Sequence, residues 1–477
     1  MKKLLFFLLF CCTFSAYSQQ RVGLFVHTDK TIYAKNETIW FSGYLLGTAE
    51  HQSRHSLLNV VISSADSGKV LVEEKYAMDH GISIGKLILP DSIKDGIYKF
   101  IAYTDVLGPA SKPQAFFSTT LTIGNQFGTA TPNASLNIRS MQEGKAQLST
   151  DRPAYGKREK VRLKVKLQDQ SLFSVAAVYH TRLNDDQKRI MESSVNTTEN
   201  ISEDQQQPLT LSVKNKNKTL DKAIDVVLFG NNGIKILSTD KIGLLKLERN
   251  TLLSPYGKKV AVMVSGQKAK DYQIELHNPM LETGILLAKE NIMPAAQLIS
   301  RKHSRQQSLQ NAMEKIVELN AVTIKGTNNS SILRGKPGVN DCGDWVDEYD
   351  YLNYPYSEKR YHPIIGKLYK KRTDIDQFMR SFKVEPIYYT GCEGAAQKTA
   401  TLIKGVNLET PFYGLDKSSS QLQYLTTVFW GAGLLSNADG EAELSFSTAD
   451  LSGEYRIILQ GITDKGVCYG EVTFVVK

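Results

Sequence analysis

The serines, lysines, histidines and cysteines of this chain do not fall, by type and spacing, into a catalytic set. Ser83 and Lys86, and again Ser238 and Lys241, fit the S-x-x-K spacing in which a lysine can activate a serine nucleophile. Both pairs lie within or beside strand-like runs and lack the companion motifs of a serine acylase, so the spacing reads as chance. His51 and His55 are four apart, but they sit in a polar stretch with no cysteine nearby. No H-E-x-x-H, G-x-S-x-G, phosphate-binding loop or post-strand G-x-G-x-x-G occurs. The expectation is a protein that is not an enzyme, with no catalytic residue, cofactor or metal.

The N-terminus and the charge balance narrow the setting. Residues 1–18 carry Lys2 and Lys3, an apolar run over 4–14, and Ala16 and Ser18 before Gln19, the pattern of a secretory leader cleaved after Ser18. Leu9 and Phe10 precede Cys11 and Cys12 where a lipoprotein leader needs small residues. No later apolar run approaches the ~20 residues needed to span a bilayer, and the final Val475, Val476 and Lys477 lack the closing aromatic of an outer-membrane barrel. The 58 basic and 49 acidic residues give +9, or +7 once Lys2 and Lys3 leave with the leader. That mild, dispersed excess is a solvated surface, and an exported chain has no nucleic-acid partner to meet. Export also favours disulfides, so Cys342 pairs with Cys392 in one Gly-, Pro- and Tyr-rich region. Cys468, inside a strand-like run, is expected to be buried and free.

The elements that organise the chain begin at residues 24–46. A strand stops at Thr28, Asp29 and Lys30, whose short polar side chains can bond nearby backbone. Tyr33 follows the corner, Asn36 and Glu37 make a second turn, and 38–46 is rich in β-branched and aromatic residues. The corner recurs at Thr150, Asp151, Arg152, Pro153, Ala154 and Tyr155, with the four-residue step from Asp to Tyr kept, so the chain reads as tandem related units. About seven strand candidates between 22 and 123, including 59–64, 70–77, 82–89, 96–104 and 116–123, make the first unit a β-sandwich.

Thr28, Asp29, Lys30, Ile32 and Tyr33 resemble the opening T-D-K-P-I-Y of the second macroglobulin domain in the α2-macroglobulin and complement family, with Thr31 in place of the proline. The resemblance implies an all-β chain of macroglobulin- or immunoglobulin-like sandwiches. The units are then a leader at 1–18, a macroglobulin-type sandwich at 19–126, a second at 135–207, and a small β-domain at 208–290 that resembles carboxypeptidase regulatory modules. A helical linker at 291–335, a Tyr-rich insert at 336–410 and a C-terminal macroglobulin-like segment at 411–477 follow. Residues 184–207 are acidic, polar and glutamine-rich and read as a mobile loop. Residues 319–326 are similar to the short strand that precedes plug domains in TonB-dependent receptors of the Bacteroidetes, although no plug sequence follows. Residues 452–456 echo 95–99 of the first unit, and 426–461 resemble the closing domain of exported Bacteroidetes proteins of this kind.

Three site expectations follow. Gly391, Cys392, Glu393 and Gln397 are similar to the family's thioester motif G-C-G-E-Q, but Cys and Gln stand five apart instead of three, which leaves Cys392 a disulfide partner. Macroglobulin-type endopeptidase inhibition, implied by the resemblance, would place a bait at Arg301, Lys302, Arg305 and Lys315, a run that a solvated linker would equally show. Trp345, Tyr349, Tyr351, Tyr354 and Tyr356 form either a partner surface or the cover of a small core. The preferred function is a non-catalytic envelope protein, periplasmic, outer-membrane-associated or extracellular, that binds or scaffolds other envelope proteins. Its partner would be an outer-membrane receptor or a protease. Inhibition, or an accessory role in TonB-dependent uptake, is the alternative.

Overall fold

A computed structural model of the chain describes residues 22–108, 112–124, 144–183, 195–198, 205–216, 218–231, 233–265, 271–293, 338–340, 344–354, 357–364, 366–372, 384–389, 400–463 and 466–477. The leader, the 319–326 segment, the bait residues Arg301, Lys302, Arg305 and Lys315, and Cys342, Cys392 and Tyr356 all lie outside these. The described chain is all-β in class, and contacts divide it into two units. One holds residues 1–207, 280–310 and 409–477, and the other 208–279 and 311–408.

In the first unit, strands β1 (Val22–Thr28), β2 (Ile32–Tyr33) and β3 (Thr38–Leu46), helix α1 (Ala49–Arg54), and strands β4 (Leu57–Ser64), β5 (Val70–Ala77), β6 (Ile82–Ile88), β7 (Gly96–Thr104), β8 (Val106–Leu107) and β9 (Phe116–Ile123) build the first sandwich. The sequence reading placed most of these strands to within a residue or two. One sheet runs β1–β3–β6 and the other β5–β4–β7–β9, with β2 parallel to β9. Phe41 fills the centre, edge-on to Tyr76 at 4.8 Å and to Phe100 at 5.6 Å. Gly85 leaves room for them, since a Cβ there would lie 2.5 Å from Phe41 and 2.6 Å from Tyr76. Gly85→Ala is therefore expected to cost about 1–3 kcal/mol by overpacking, read as a lower denaturation midpoint in urea. Nearly every residue of β1 and β3 is buried, on both faces. One face looks into this sandwich, and Trp40 on the other packs with Ala176, Val178, Trp430 and Ile458 of the second. Doubly covered strands read as continuous apolar runs, which explains the sequence of β3.

The second sandwich starts with β10 (Gly144–Lys145), β11 (Gln147–Thr150), β12 (Ala154–Tyr155), β13 (Lys160–Lys166) and β14 (Leu172–Tyr179), and then the chain leaves it. The stretch expected to be a mobile loop instead supplies β15 (Val195–Thr198), which pairs with both β1 and β9, and β16 (Gln205–Gln206), which pairs with β8. Their backbone groups are satisfied by edges that the first sandwich leaves open.

The second unit carries β17 (Leu209–Asn215), β18 (Asp225–Gly230), β19 (Gly233–Ser238), β20 (Leu244–Leu247), β21 (Leu253–Ser254), β22 (Lys259–Val264) and β23 (Tyr272–His277). A three-stranded sheet, β20–β17–β23, accompanies a sheet β19–β18–β22 whose hairpin turns at Asn231, with Gly233 at φ +92°. Helix α2 (Met280–Glu290), which the sequence reading counted with this β-domain, belongs to the first unit. Its buried Met280, Thr283, Gly284, Leu287 and Ala288 follow helical spacing, and Tyr103 donates its hydroxyl to Met280 O at 2.9 Å. Strands β24 (Leu368–Arg372) and β25 (Val384–Tyr388) form a hairpin, β26 (Thr401–Lys404) joins β22, and β27 (Val406–Asn407) pairs with β21.

The chain then returns to the second sandwich as β28 (Thr427–Leu435), β29 (Glu441–Ser447), β30 (Gly453–Thr463) and β31 (Gly466–Val476). Strand β14 lies between β28 and β30, β13 pairs with β29, and β12 runs parallel to β31. The stretches set apart as 135–207 and 411–477 in the sequence reading thus share one core, with Tyr155, Val161, Phe173, Ile457 and Phe474 packed together. Each piece alone lacks the strands that bury its apolar face, which is the physical reason they combine. The pairing order repeats that of the first sandwich, with residues 184–424 inserted between β14 and β28. Even the tyrosine that fixes one end is repeated, Tyr98 donating to Lys94 O at 2.6 Å and Tyr455 to Leu451 O at 3.1 Å. Cys468 is buried in this core and free, and burial pushes its thiol up to about 12.

Candidate functional site

The two corners fold alike, bond for bond. Thr28 Oγ1 donates to Lys30 O at 3.1 Å, and Thr150 Oγ1 to Arg152 O at 2.9 Å, which turns the chain off the first strand. Asp29 Oδ1 accepts the Trp40 N–H at 3.0 Å and the Tyr33 hydroxyl at 2.8 Å. Asp151 Oδ1 accepts the Arg162 N–H at 2.9 Å and the Tyr155 hydroxyl at 2.6 Å. Glu37 caps the Ala34 N–H and pairs with Lys30, as Glu159 caps the Gly156 N–H and pairs with Arg152. Asn36 and Arg158 take the same left-handed backbone, φ +60° and +57°. The sequence marks Glu37 only as a turn residue and does not single out Glu159, although each stands eight residues after its aspartate.

Burial separates the copies. Lys30 is 2% exposed and Arg152 48%. The first corner lies against the start of β28, where Lys30 Nζ donates to Glu37 Oε1, to Thr426 Oγ1 at 3.0 Å and to Thr427 Oγ1 at 3.2 Å. Thr426 Oγ1 in turn donates a hydrogen bond to Glu37 Oε1 and Thr427 Oγ1 one to Asp29 Oδ2, each at 2.7 Å. Burial raises the Asp29 carboxyl above its usual range against the opposing pull of Lys30, Thr427 and Tyr33. At Glu37 burial also pushes upward, but the charges of Lys30 and Arg182 and the local hydrogen bonds outweigh it, so its acidity is increased. In the open copy the hydrogen bond from Tyr155, then that from the Arg162 N–H, lowers Asp151.

This arrangement is a joint and not an active site. All three ammonium protons of Lys30 are spent on protein acceptors, leaving no lone pair to attack with and no donor for a substrate. Two cations, Lys30 and Arg182, balance two carboxylates, Asp29 and Glu37, in a place where an unpaired charge would be costly. Beside it His27, also buried, meets Ser174 Oγ at 2.6 Å and the Trp430 ring at 5.0 Å, and burial lowers its imidazole to about 3.

Solved structures that the chain resembles include bacterial α2-macroglobulins. One is Salmonella α2-macroglobulin reacted with methylamine, at 9% identity and TM-score 0.28, over 95% of this chain and 39% of that one. Others are trypsin-activated Escherichia coli α2-macroglobulin, at 9% and 0.27 over 96% and 41%, and the native conformation of the E. coli protein, at 9% and 0.27 over 97% and 40%. The chain spans about two-fifths of the length of these proteins. No protein-family model and no curated protein matches it.

The remaining sequence candidates disperse. Ser83 is buried on β6, and Lys86, three residues on, faces the opposite side of the strand, while Ser238 Oγ donates to Asp225. No group of three or more metal-ligating side chains converges among the described residues. Trp345 is 7% exposed, donates Nε1 to Tyr354 O at 3.2 Å and lies under Arg360. Tyr351 and Tyr354 are half-buried against one another, with ring centroids 5.8 Å apart. Tyr349, by contrast, is 67% exposed. A small core of Val346, Tyr369 and Tyr389 holds the region together.

Proposed function

We propose that the chain is a non-catalytic, exported cell-envelope protein whose β-domains bind or scaffold other envelope proteins. One observation carries this reading: the Tyr-rich region has a core of its own and presents Tyr349, Tyr361 and Tyr388 to solvent. Aromatic side chains held out from an ordered support give contact area at low entropic cost, which is how binding surfaces concentrate their energy. The backbone beneath Tyr349 is fixed, because Asp347 Oδ1 accepts the N–H groups of both Tyr349 and Tyr351. The joint between the sandwiches supports a structural role for the rest, since its polar groups are spent on one another.

The test is a photo-crosslinking side chain at position 349 in intact cells, with position 164 on the outward face of β13 as control. A discrete adduct to an envelope protein at 349 but not at 164, reduced by Tyr361→Ala, is expected. No adduct, or equal labelling at both positions, would sink the proposal.

A further inference from the structure

The returning chain at 409–427 has no regular secondary structure outside the first residue of β28, yet both corners grip it. Phe412 and Tyr413 each stand 5.1 Å from Trp40 on the outer face of β3, and Lys86 Nζ lies 4.9 Å over the Tyr413 ring. Further on, Arg158 of the second corner donates Nη1 to Ser419 O at 2.7 Å, Nη2 to Gln421 O at 2.5 Å and Nε to Asp450 Oδ1 at 2.9 Å. Asp450 in turn accepts the Gln423 N–H at 2.7 Å. Thr426 and Thr427 then enter the first corner, and the Thr426 carbonyl accepts the Tyr179 N–H at 2.7 Å.

The same position in the first corner shows what is special here. Asn36 reaches Asp91 at 3.0 Å in the place where Arg158 reaches Asp450. Only the second copy carries a side chain long enough, with enough donors, to hold a passing backbone as well. A left-handed conformation is uncommon for a long side chain, and at Arg158 it aims the guanidinium across the returning chain.

We propose that residues 409–427 form a pin that locks the first sandwich onto the second, and that unseating the pin at Arg158 releases the first corner. The inference is independent of which protein the chain binds. It makes the exit of the inserted region a mechanical link to the sandwich pair, since that stretch carries contacts to both.

Hydrogen exchange on the full mature chain tests it, comparing Arg158→Ala with Arg162→Ala, a change of an outward neighbour with no contact to the pin. Arg158→Ala is expected to speed exchange at the Asp29 and Trp40 amides, which Arg158 does not touch, by at least about tenfold while the β30 amides of Ile457 and Leu459 stay protected. Arg162→Ala leaves all of them unchanged. Faster exchange confined to 416–424 would show a local clasp and overturn the proposal. A uniform rise that includes β30 would overturn it too, because the loss would then be of the second sandwich as a whole.

Discussion

Replacing Lys30 by Met lowers the unfolding free energy by about 3–5 kcal/mol, the usual result of removing one partner from a buried ionic cluster. Asp29 would remain out of water and Glu37 four-fifths so, with Arg182 as the remaining cation beside them among the described residues, and the hydroxyls of Thr426 and Thr427 would each lose a donor. Arg152→Met, the counterpart in the second corner, leaves the denaturation midpoint nearly unchanged, because water hydrates Glu159 and Asp151 once the guanidinium is gone. Urea titrations of the two variants beside the parent provide the check. Equal losses would mean that the first corner is a local turn like the second and does not join the sandwiches.

His27 makes stability fall in acid. Its folded value of about 3 is below the ordinary 6.5, so between those limits the unfolded chain binds the proton that the folded chain refuses. The stabilising contribution is whole above about pH 6.5 and drains away as pH falls toward 3, at up to about 1.4 kcal/mol per pH unit. Between about pH 7.5 and pH 5 the parent should lose about 2 kcal/mol more than His27→Gln, which keeps a polar partner for Ser174 but carries no titrating group. Trp430, 5.0 Å from the ring, reports the same event by fluorescence. Identical pH profiles for the two proteins would show that the imidazole is hydrated and the sandwiches are not closed over it.

Much of the first sandwich is legible in the sequence because its signals are local. Alternation marks β6, Pro90 and Asp91 end it, and the polar corner at Thr28–Asp29–Lys30 is followed by Tyr33 at a spacing repeated at Asp151 and Tyr155. The echo of residues 95–99 in 452–456 is equally local, and in the fold Tyr98 and Tyr455 occupy matching places. Pairing is another matter. Periodicity says which face of β13 is buried, but nothing in it says that Val161 will stand opposite Phe446, nearly three hundred residues on. Read locally, the sequence therefore divides the second sandwich in two, although the fold makes it one. Helix α2 is hard to read for a different reason, since its register is plain at Met280, Thr283, Gly284 and Leu287 but it follows directly on a run of strands. The joint was only half visible. Asp29 and Tyr33 announce themselves, whereas Thr426 and Thr427 are two ordinary hydroxyls until the fold carries them to Lys30.

The functional account holds that the chain binds and does not trap. Incubating the mature protein with a trypsin-like endopeptidase, while following hydrolysis of a large and a small substrate and mapping the first cuts, tests this most directly. The account predicts slow or scattered cutting with both hydrolysis rates unchanged. One fast cut between residues 297 and 325, followed by loss of activity on the large substrate alone, would contradict it and make Arg301, Lys302, Arg305 and Lys315 a bait.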